Sequence, residues 1–222
     1  SKINKNLQTD KIADIAENLM SDKGYGNLSL NEVIKKAGIA KGTFYHYFPS
    51  KESLFDYVVI RLTQQALKPV KKYIDDDSLD ALTKLKRSLR AIQQYKLSRS
   101  SIYRAIARWI YREENIMLRY NMIKQSQKMI VPELAKIIKQ GKYEGVFNVR
   151  SPQTTAQLFI NVSMAMGESV VPLLVKGKLS PAEKDIFMEK LEAYEQVFER
   201  ILDIKPGSFE LADRELLKKA FE

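Results

Sequence analysis

Cysteine is absent from all 222 residues, and histidine and tryptophan occur once each. The missing thiols exclude a disulfide framework, a thiolate zinc site, an iron–sulfur cluster and a cysteine nucleophile. They also fit a reducing compartment, so a cytoplasmic location is expected. The single imidazole, His46, is the one base available to Ser-His-Asp chemistry, and no motif positions a partner for it. Long apolar runs are scarce as well. The best stretch, Leu158 to Val175, is interrupted by Asn161, Ser163, Glu168 and Pro172, short of the roughly 18 uninterrupted apolar residues of a membrane span, so no membrane partner is expected. The N-terminal SKINKNLQTDKIADI has basic residues but no apolar core, so no signal peptide is expected, and the Asn-x-Ser triplets at Asn27 and Asn161 read as chance matches. Nine Gly and seven Pro, with 45% hydrophobic residues, describe a globular chain long enough for two small domains. No enzyme, cofactor or metal site is expected.

Basic residues outnumber acidic ones, 37 to 27. The excess is local: residues 1–60 carry net +1, residues 61–150 net +12 and residues 151–222 net −3. Charge alone would place a polyanionic partner in the middle of the chain.

Apolar residues recur three and four apart almost throughout and alternating strand patterns are nearly absent, which predicts helices. Thr9 is the expected N-cap of the first, whose apolar face is Ile12, Ile15, Ala16, Leu19 and Met20 and which ends at Gly24 and Gly26. Ser29-Leu30-Asn31-Glu32 matches a capping box and opens a second, which stops at Gly38. A third covers about residues 40–47, and Ser50 caps a fourth, which runs past Pro69 toward Tyr73. Further helices are expected from about Leu79 to Ile92, 102 to 112 and 116 to 140. A loop over Gly141–Ser151 precedes two long ones, from Pro152 to about Val175 and from Ser180 to about Ile204. Pro206-Gly207-Ser208 then introduces a short terminal helix, for nine to ten in all.

Two short helices joined by a tight Gly-containing turn, preceded by a supporting amphipathic helix, make a helix-turn-helix, whose second member enters the DNA major groove. Ala37, Gly38 and Gly42 supply the small residues such a crossing needs. Lys41, Thr43, Tyr45 and His46 form the outer polar face, while Phe44 and Phe48 are expected to pack inward.

The run AGIAKGTFYHYFPSKESLF, with Gly24-Tyr25 and Ser29 to Glu32 ahead of it, resembles the TetR family of one-component bacterial regulators over about the first sixty residues. The resemblance implies an all-α protein with a helix-turn-helix DNA-binding domain at 1–50 and a helical ligand-binding and dimerisation domain at 51–222. It implies that Ser29 and Lys51 touch phosphates, that Lys41, Thr43 and Tyr45 reach base edges beside Gly42, and that Tyr45, His46 and Tyr47 clamp the backbone. Ala40 departs from the family pattern, where a Ser or Thr cap is usual, and Ile15 and Ile34 stand where Ala is common.

One helix-turn-helix covers few base pairs, so a homodimer on a pseudo-palindromic operator is expected. By resemblance the last two long helices form its interface, with Leu158, Phe159, Val162, Ala165, Met166, Val170, Phe187, Leu191, Tyr194, Val197 and Phe198 as candidate contacts; packing within their own subunit is the alternative. A small-molecule effector is likewise implied, with Tyr103, Trp109, Met117, Tyr120, Phe159 and Met164 as candidate lining residues. Arg104, Arg108 and Arg112 form a basic stripe that suits an anionic ligand, solvent or attraction to DNA. By resemblance the free dimer represses transcription and the effector releases it from the operator; two rivals compete with this repressor reading. An all-helical enzyme lacks a P-loop, a dinucleotide glycine pattern and a second histidine. A basic helical protein binding acidic partners or anionic lipid leaves the Lys41 to Lys51 register without purpose.

Overall fold

Good helix formers with apolar positions three and four apart leave this chain little else to form, and in the computed structural model every regular element among the described residues is helical. The structure describes residues 2–176, 178–214 and 217, with side chains from Leu7 onward. Nine α-helices appear among them: α1 (Lys2–Lys23), α2 (Leu30–Ala37), α3 (Lys41–Tyr47), α4 (Lys51–Ile74), α5 (Ala81–Ser98), α6 (Ser100–Ile110), α7 (Ile116–Tyr143), α8 (Pro152–Val175) and α9 (Pro181–Leu202). A 3-10 turn, Glu113–Asn115, precedes α7.

Local chemistry sets most boundaries. Gly38, at φ 67, closes α2 by turning its N–H back to the carbonyls of Ile34 and Lys35, a left-handed geometry that costs a side-chain-bearing residue roughly 1 kcal/mol. Ser50 and Ser53 cap α4 reciprocally, each hydroxyl accepting the other's backbone N–H at 3.0 Å. Ser151 and Ser180 cap α8 and α9, each followed by a proline in the first helical position. Ser180 and Glu183 form a complete capping box, and hydrogen bonds from Lys176 and Ser180 lower the Glu183 carboxyl to about 2.

Three expected boundaries are corrected. Helix α1 begins at Lys2 and Thr9 lies inside it, because no Gly or Pro between Lys2 and Thr9 interrupts propagation. The Ser29–Glu32 capping box does not form: Ser29 makes no side-chain cap bond, and Glu32 instead pairs with Lys23 and Lys36. Gly141 lies within α7 rather than opening a loop. A Cβ there would overlap the ring of Phe147, and the left-handed turn belongs to Gly145, at φ 73. The expected terminal helix falls largely outside the described residues.

The chain divides into two compact units, one built from residues up to 63 with 99–122, the other from 64–98 with residues from 123 onward. In the first, α1 buries Ile12, Ala13, Ala16, Leu19 and Met20 against Val33 and Ala37 of α2, Phe44 of α3, Leu54, Phe55 and Val58 of α4, and Ile102, Ile106 and Ile110 of α6. Glu17 shares that face and is only 4% exposed. Its carboxylate accepts from Arg61, whose Nε lies at 3.0 Å, and pairs with Arg99 at the start of α6. Arg61 also donates to Asp14 at 2.7 Å and to the Asp10 carbonyl at 3.1 Å, so one buried network joins α1, α4 and α6.

In the second unit, Phe159 of α8 and Phe198 of α9 stack at 4.1 Å, and Phe209, beyond α9, inserts beside both. The backbone following α9 is held by two buried carboxylates: Glu199 accepts the Phe209 N–H at 3.0 Å and Glu195 the Leu211 N–H at 2.9 Å. Burial raises the Glu195 carboxyl, opposed by its bond from Leu211 and the nearby charge of Arg214. Helix α8 is long and apolar enough, by length and composition, to cross a bilayer, with mean hydropathy 1.7 in its most apolar window, so its polar interruptions do not keep it below that threshold.

Removing the Glu17 carboxylate leaves two guanidinium groups without their buried partner, a class of change that costs about 3 kcal/mol or more. Glu17→Ala is expected to destabilise the first unit by that amount. Urea unfolding followed through Trp109, the sole tryptophan and part of that core, checks it.

Candidate nucleic-acid interface

A seven-residue helix takes its orientation from what lies under it. In α3 that anchor is Phe44, fully buried, followed by Phe48, which is 3% exposed. The two rings lie 5.9 Å apart, and Phe48 meets Tyr57 of α4 edge-on at 5.4 Å. Tyr57 in turn donates to Asp10 of α1 at 3.0 Å, and Lys11 donates to the Ala37 carbonyl at the end of α2 at 3.1 Å. The turn and both short helices are thereby fastened to α1 and α4.

This anchoring leaves Lys41, Gly42, Thr43, Tyr45 and His46 exposed together on α3. Tyr47 is half-buried against the core, its ring 5.5 Å from that of His46. Ser29 is exposed at the start of α2, with its hydroxyl uncommitted to a cap. Lys51 stands at the start of α4, but its ammonium turns back, 4.5 Å above the Tyr25 ring and 3.4 Å from the Gly26 carbonyl. Burial pulls the Lys51 pKa down, against the raising effect of Glu52. Ala40 precedes α3 without a side-chain cap. The outer face therefore offers hydroxyls, an ammonium, an imidazole and a methyl within two turns of helix, the donor and apolar set that base edges and phosphates take.

The effector candidates fall in both units: Tyr103, Trp109, Met117 and Tyr120 in the first, Phe159 and Met164 in the second. Tyr103 and Trp109 pack in the first core, where Trp109 lies 3.9 Å from the Tyr25 ring and 5.3 Å from Phe55. Phe159 is 2% exposed in the second core, and Met164 is half-buried there, its sulfur 3.3 Å from the Gln127 amide nitrogen. Met117 and Tyr120 are 68% and 51% exposed. A cavity of about 400 Å³ in the second unit is lined by Ile74, Asp75, Asp77, Lys84, Lys136, Ile137 and Gln140, none of them among the six. The interface candidates divide too. Phe159, Val170, Phe187, Leu191 and Phe198 are buried in their own subunit's core, the alternative left open for this set. Leu158, Ala165 and Val197 face outward, and Val162, Met166 and Tyr194 are half-buried. Sequence reasoning also missed the Lys51–Tyr25–Trp109 stack. Its signal was a tryptophan on the apolar side of α6, in register with buried Ile102, Ile106 and Ile110.

Fold and exposed helix together define a helix-turn-helix motif. Residues 12–58 match the family model described as bacterial regulatory proteins, tetR family. It is similar to the HTH-type transcriptional regulator YvdT of Bacillus subtilis, 37% identical over 68 residues, which are 31% of this chain and 35% of that protein. It is also similar to the HTH-type regulator SAB2452 of Staphylococcus aureus, 31% identical over 96 residues, or 43% and 51% of the two chains. EthR of Mycobacterium tuberculosis matches at 43% over 51 residues, or 23% and 24%. The chain thus spans a quarter to a half of the length of these relatives. The fold is shared with a TetR-family regulator from Pectobacterium atrosepticum, with TM-score 0.67 and 18% identity, covering 93% of this chain and 99% of that one.

Phe44 fixes α3 whereas Tyr45 lies outside the packing. Phe44→Ala is expected to cost about 3 kcal/mol and Tyr45→Ala less than about 0.5 kcal/mol, as read by urea unfolding on Trp109 fluorescence.

Proposed function

We propose that the chain is a repressor that binds a pseudo-palindromic operator as a homodimer and is released from it by a small-molecule effector. One observation carries the reading: a short helix seated on buried Phe44 and Phe48 presents Lys41, Gly42, Thr43, Tyr45 and His46 together to solvent. In this reading α3 lies in the major groove. Thr43 offers its methyl or hydroxyl to bases, Lys41 reaches guanine or phosphate, and Tyr45, His46 and Tyr47 hold the backbone at the far end. Ser29 donates its free hydroxyl to a phosphate, and Lys51 swings from the Tyr25 ring to another.

The dimer reading rests on the outward apolar positions of the last two helices: Leu158 at 51%, Leu174 at 38%, Ile186 at 46% and Val197 at 37% exposed, with Ala165 between them. An apolar surface of this kind on helices that already bury Phe159 and Phe198 inward suits a four-helix bundle about a two-fold axis. Effector response is typical of the family; here it means a ligand that binds more tightly to a form whose two reading helices do not match the operator spacing.

Selection from randomised duplex DNA tests this directly. A symmetric site is expected, with half-sites about one or two helical turns apart, and Thr43→Ala or Tyr45→Ala is expected to weaken its binding about tenfold or more. Recovery of no common site, with equal salt-dependent binding to every duplex, would favour the basic helical protein instead. Leu158→Glu combined with Val197→Glu is expected to convert the dimer to a monomer in sedimentation velocity and to lose operator binding with it.

A further inference from the structure

The second half of α4 and the whole of α5 carry no carboxylate. No acidic residue occurs from Tyr57 to Ile74 or from Ala81 to Ser98, and Asp75, Asp76, Asp77 and Asp80 are confined to the connecting turn. Two bonds set the register of the pair. The Lys84 ammonium donates to the Ile74 carbonyl at 2.7 Å, and the Tyr95 hydroxyl donates to Gln65 at 2.6 Å. The two stretches are therefore antiparallel, with Lys71 level with Arg87, Lys72 with Lys86 and Lys68 with Arg90. All of these residues belong to the second unit.

Those six cations are all exposed, while Ala66 and Val70 of α4 and Leu85 and Ser88 of α5 are buried. Arg90 is held by Asp213, the Lys72 ammonium lies 4.7 Å from the Tyr73 ring centre, and the charge of Arg87 reaches Asp76 in the turn. Lys68, Lys71, Lys86 and Arg87 have no ion pair. Like charges level with one another on neighbouring helices repel, since packed axes lie about 8–10 Å apart, within roughly one Debye length. An anion laid over them removes that repulsion. The kind of anion follows from what surrounds the charges: every exposed side chain from Gln64 to Lys96 is polar or charged, and the first exposed large apolar one is Leu97. A protein partner needs apolar and aromatic anchors and avoids lysine, and a helix lying on a bilayer buries an apolar face. A phosphate backbone needs neither, because cations alone bind it by releasing its counterions.

We propose that the α4–α5 pair is a sequence-independent nucleic-acid surface, which holds the phosphate backbone of duplex DNA through Lys68, Lys71, Lys86 and Arg87. It goes beyond the operator reading and does not depend on it. The surface lies in a different unit from α3 and needs no register with the bases α3 reads, so any duplex segment can occupy it.

The test measures binding of the full chain to a duplex of unrelated sequence, about two helical turns long, across a series of salt concentrations. The wild type is compared with Lys71→Gln/Lys86→Gln/Arg87→Gln and with Lys71→Arg/Lys86→Arg/Arg87→Lys, which keeps the charge. A control, Lys128→Gln/Lys139→Gln/Lys178→Gln, removes three exposed charges elsewhere in the same unit. The first variant is expected to bind about tenfold or more weakly at low salt, with the slope of log affinity against log salt reduced by about 0.9 for each lost phosphate contact. The charge-keeping variant is expected to match the wild type, and the control to keep its slope. An unchanged slope in the first variant overturns the proposal, as does an equal loss in the control. Tighter binding to phosphatidylserine vesicles or to polyglutamate than to the duplex overturns it too, in favour of a lipid or protein partner. Melting followed by circular dichroism checks the fold; if the triple variant melts early, Arg87→Gln alone decides, with a slope loss of about 0.9 expected. Failure of the operator reading has a separate signature, the absence of any selected site, and leaves this comparison intact because its duplex contains no operator.

Discussion

Seven residues make too few internal hydrogen bonds to hold a helix in water, so the direction in which Lys41, Thr43 and Tyr45 point is set by the burial of Phe44. That single ring fixes the rotation of α3 about its axis, and Phe48, at the end of the helix, fixes its tilt through Tyr57. The rest of the unit reads as support for those two contacts. Helix α1 supplies the floor, Lys11 and Tyr57 bind the turn and α4 to it, and the reciprocal Ser50–Ser53 cap sets where α4 begins. A face meant to meet bases must be held to a fraction of an ångström before binding. Here the holding is done from beneath, which leaves the outer positions free to vary without disturbing the fold.

Both units also bury carboxylates, and each is repaid with partners from a remote part of the chain. Glu17 draws Arg61 and Arg99 to α1, so residues 44 and 82 positions away converge on one side chain. Glu195 and Glu199 do the same for the backbone after α9, satisfying the N–H groups of Leu211 and Phe209 where no helix or strand continues to satisfy them. Apolar residues would fill these places at lower desolvation cost. Carboxylates make the outcome specific instead: Phe209 enters the second core in one register only, because shifting the segment by a residue would leave two buried acceptors and two backbone donors unmatched.

How much of this was legible in the amino-acid order varied with the range of the interaction concerned. Short-range chemistry was readable: the serine-proline starts of α8 and α9, the glycine stop of α2 and the inward Phe44 and Phe48 all follow from residues within a turn of one another. Ser29 and Ser50 had equal claim as caps, but the Ser29 box failed because Lys23, nine residues before Glu32, competes for that carboxylate. Glu17 was legible in principle, since it falls on the apolar face with Ala13, Ala16 and Met20, but its partners lie too far along the chain for spacing to reveal them. Periodicity also does not tell an apolar side chain that packs at home from one awaiting a second copy. Leu158 and Phe159 are neighbours on one helix, yet the first is half exposed and the second is sealed under Phe198. Trp109 and Tyr103 were open to the same ambiguity, and their bulk suited a ligand wall as well as the core they occupy.

The distribution of charge separates two tasks that DNA-binding proteins combine. The first sixty residues, which contain the whole helix-turn-helix, carry net +1, and α3 itself has one lysine. If α3 reads bases as proposed, a helix so weakly charged gains little from phosphates, and its part is discrimination through hydroxyls, a methyl and rings. In the proposed regulator counterion release, which sets overall affinity and its dependence on salt, would come from few cations in the motif, Lys41 and Lys51 among them, while the basic excess lies in residues 61–150. In such a regulator this arrangement lets sequence preference change with little effect on general affinity: a substitution at Thr43 alters which site is preferred without removing a charge.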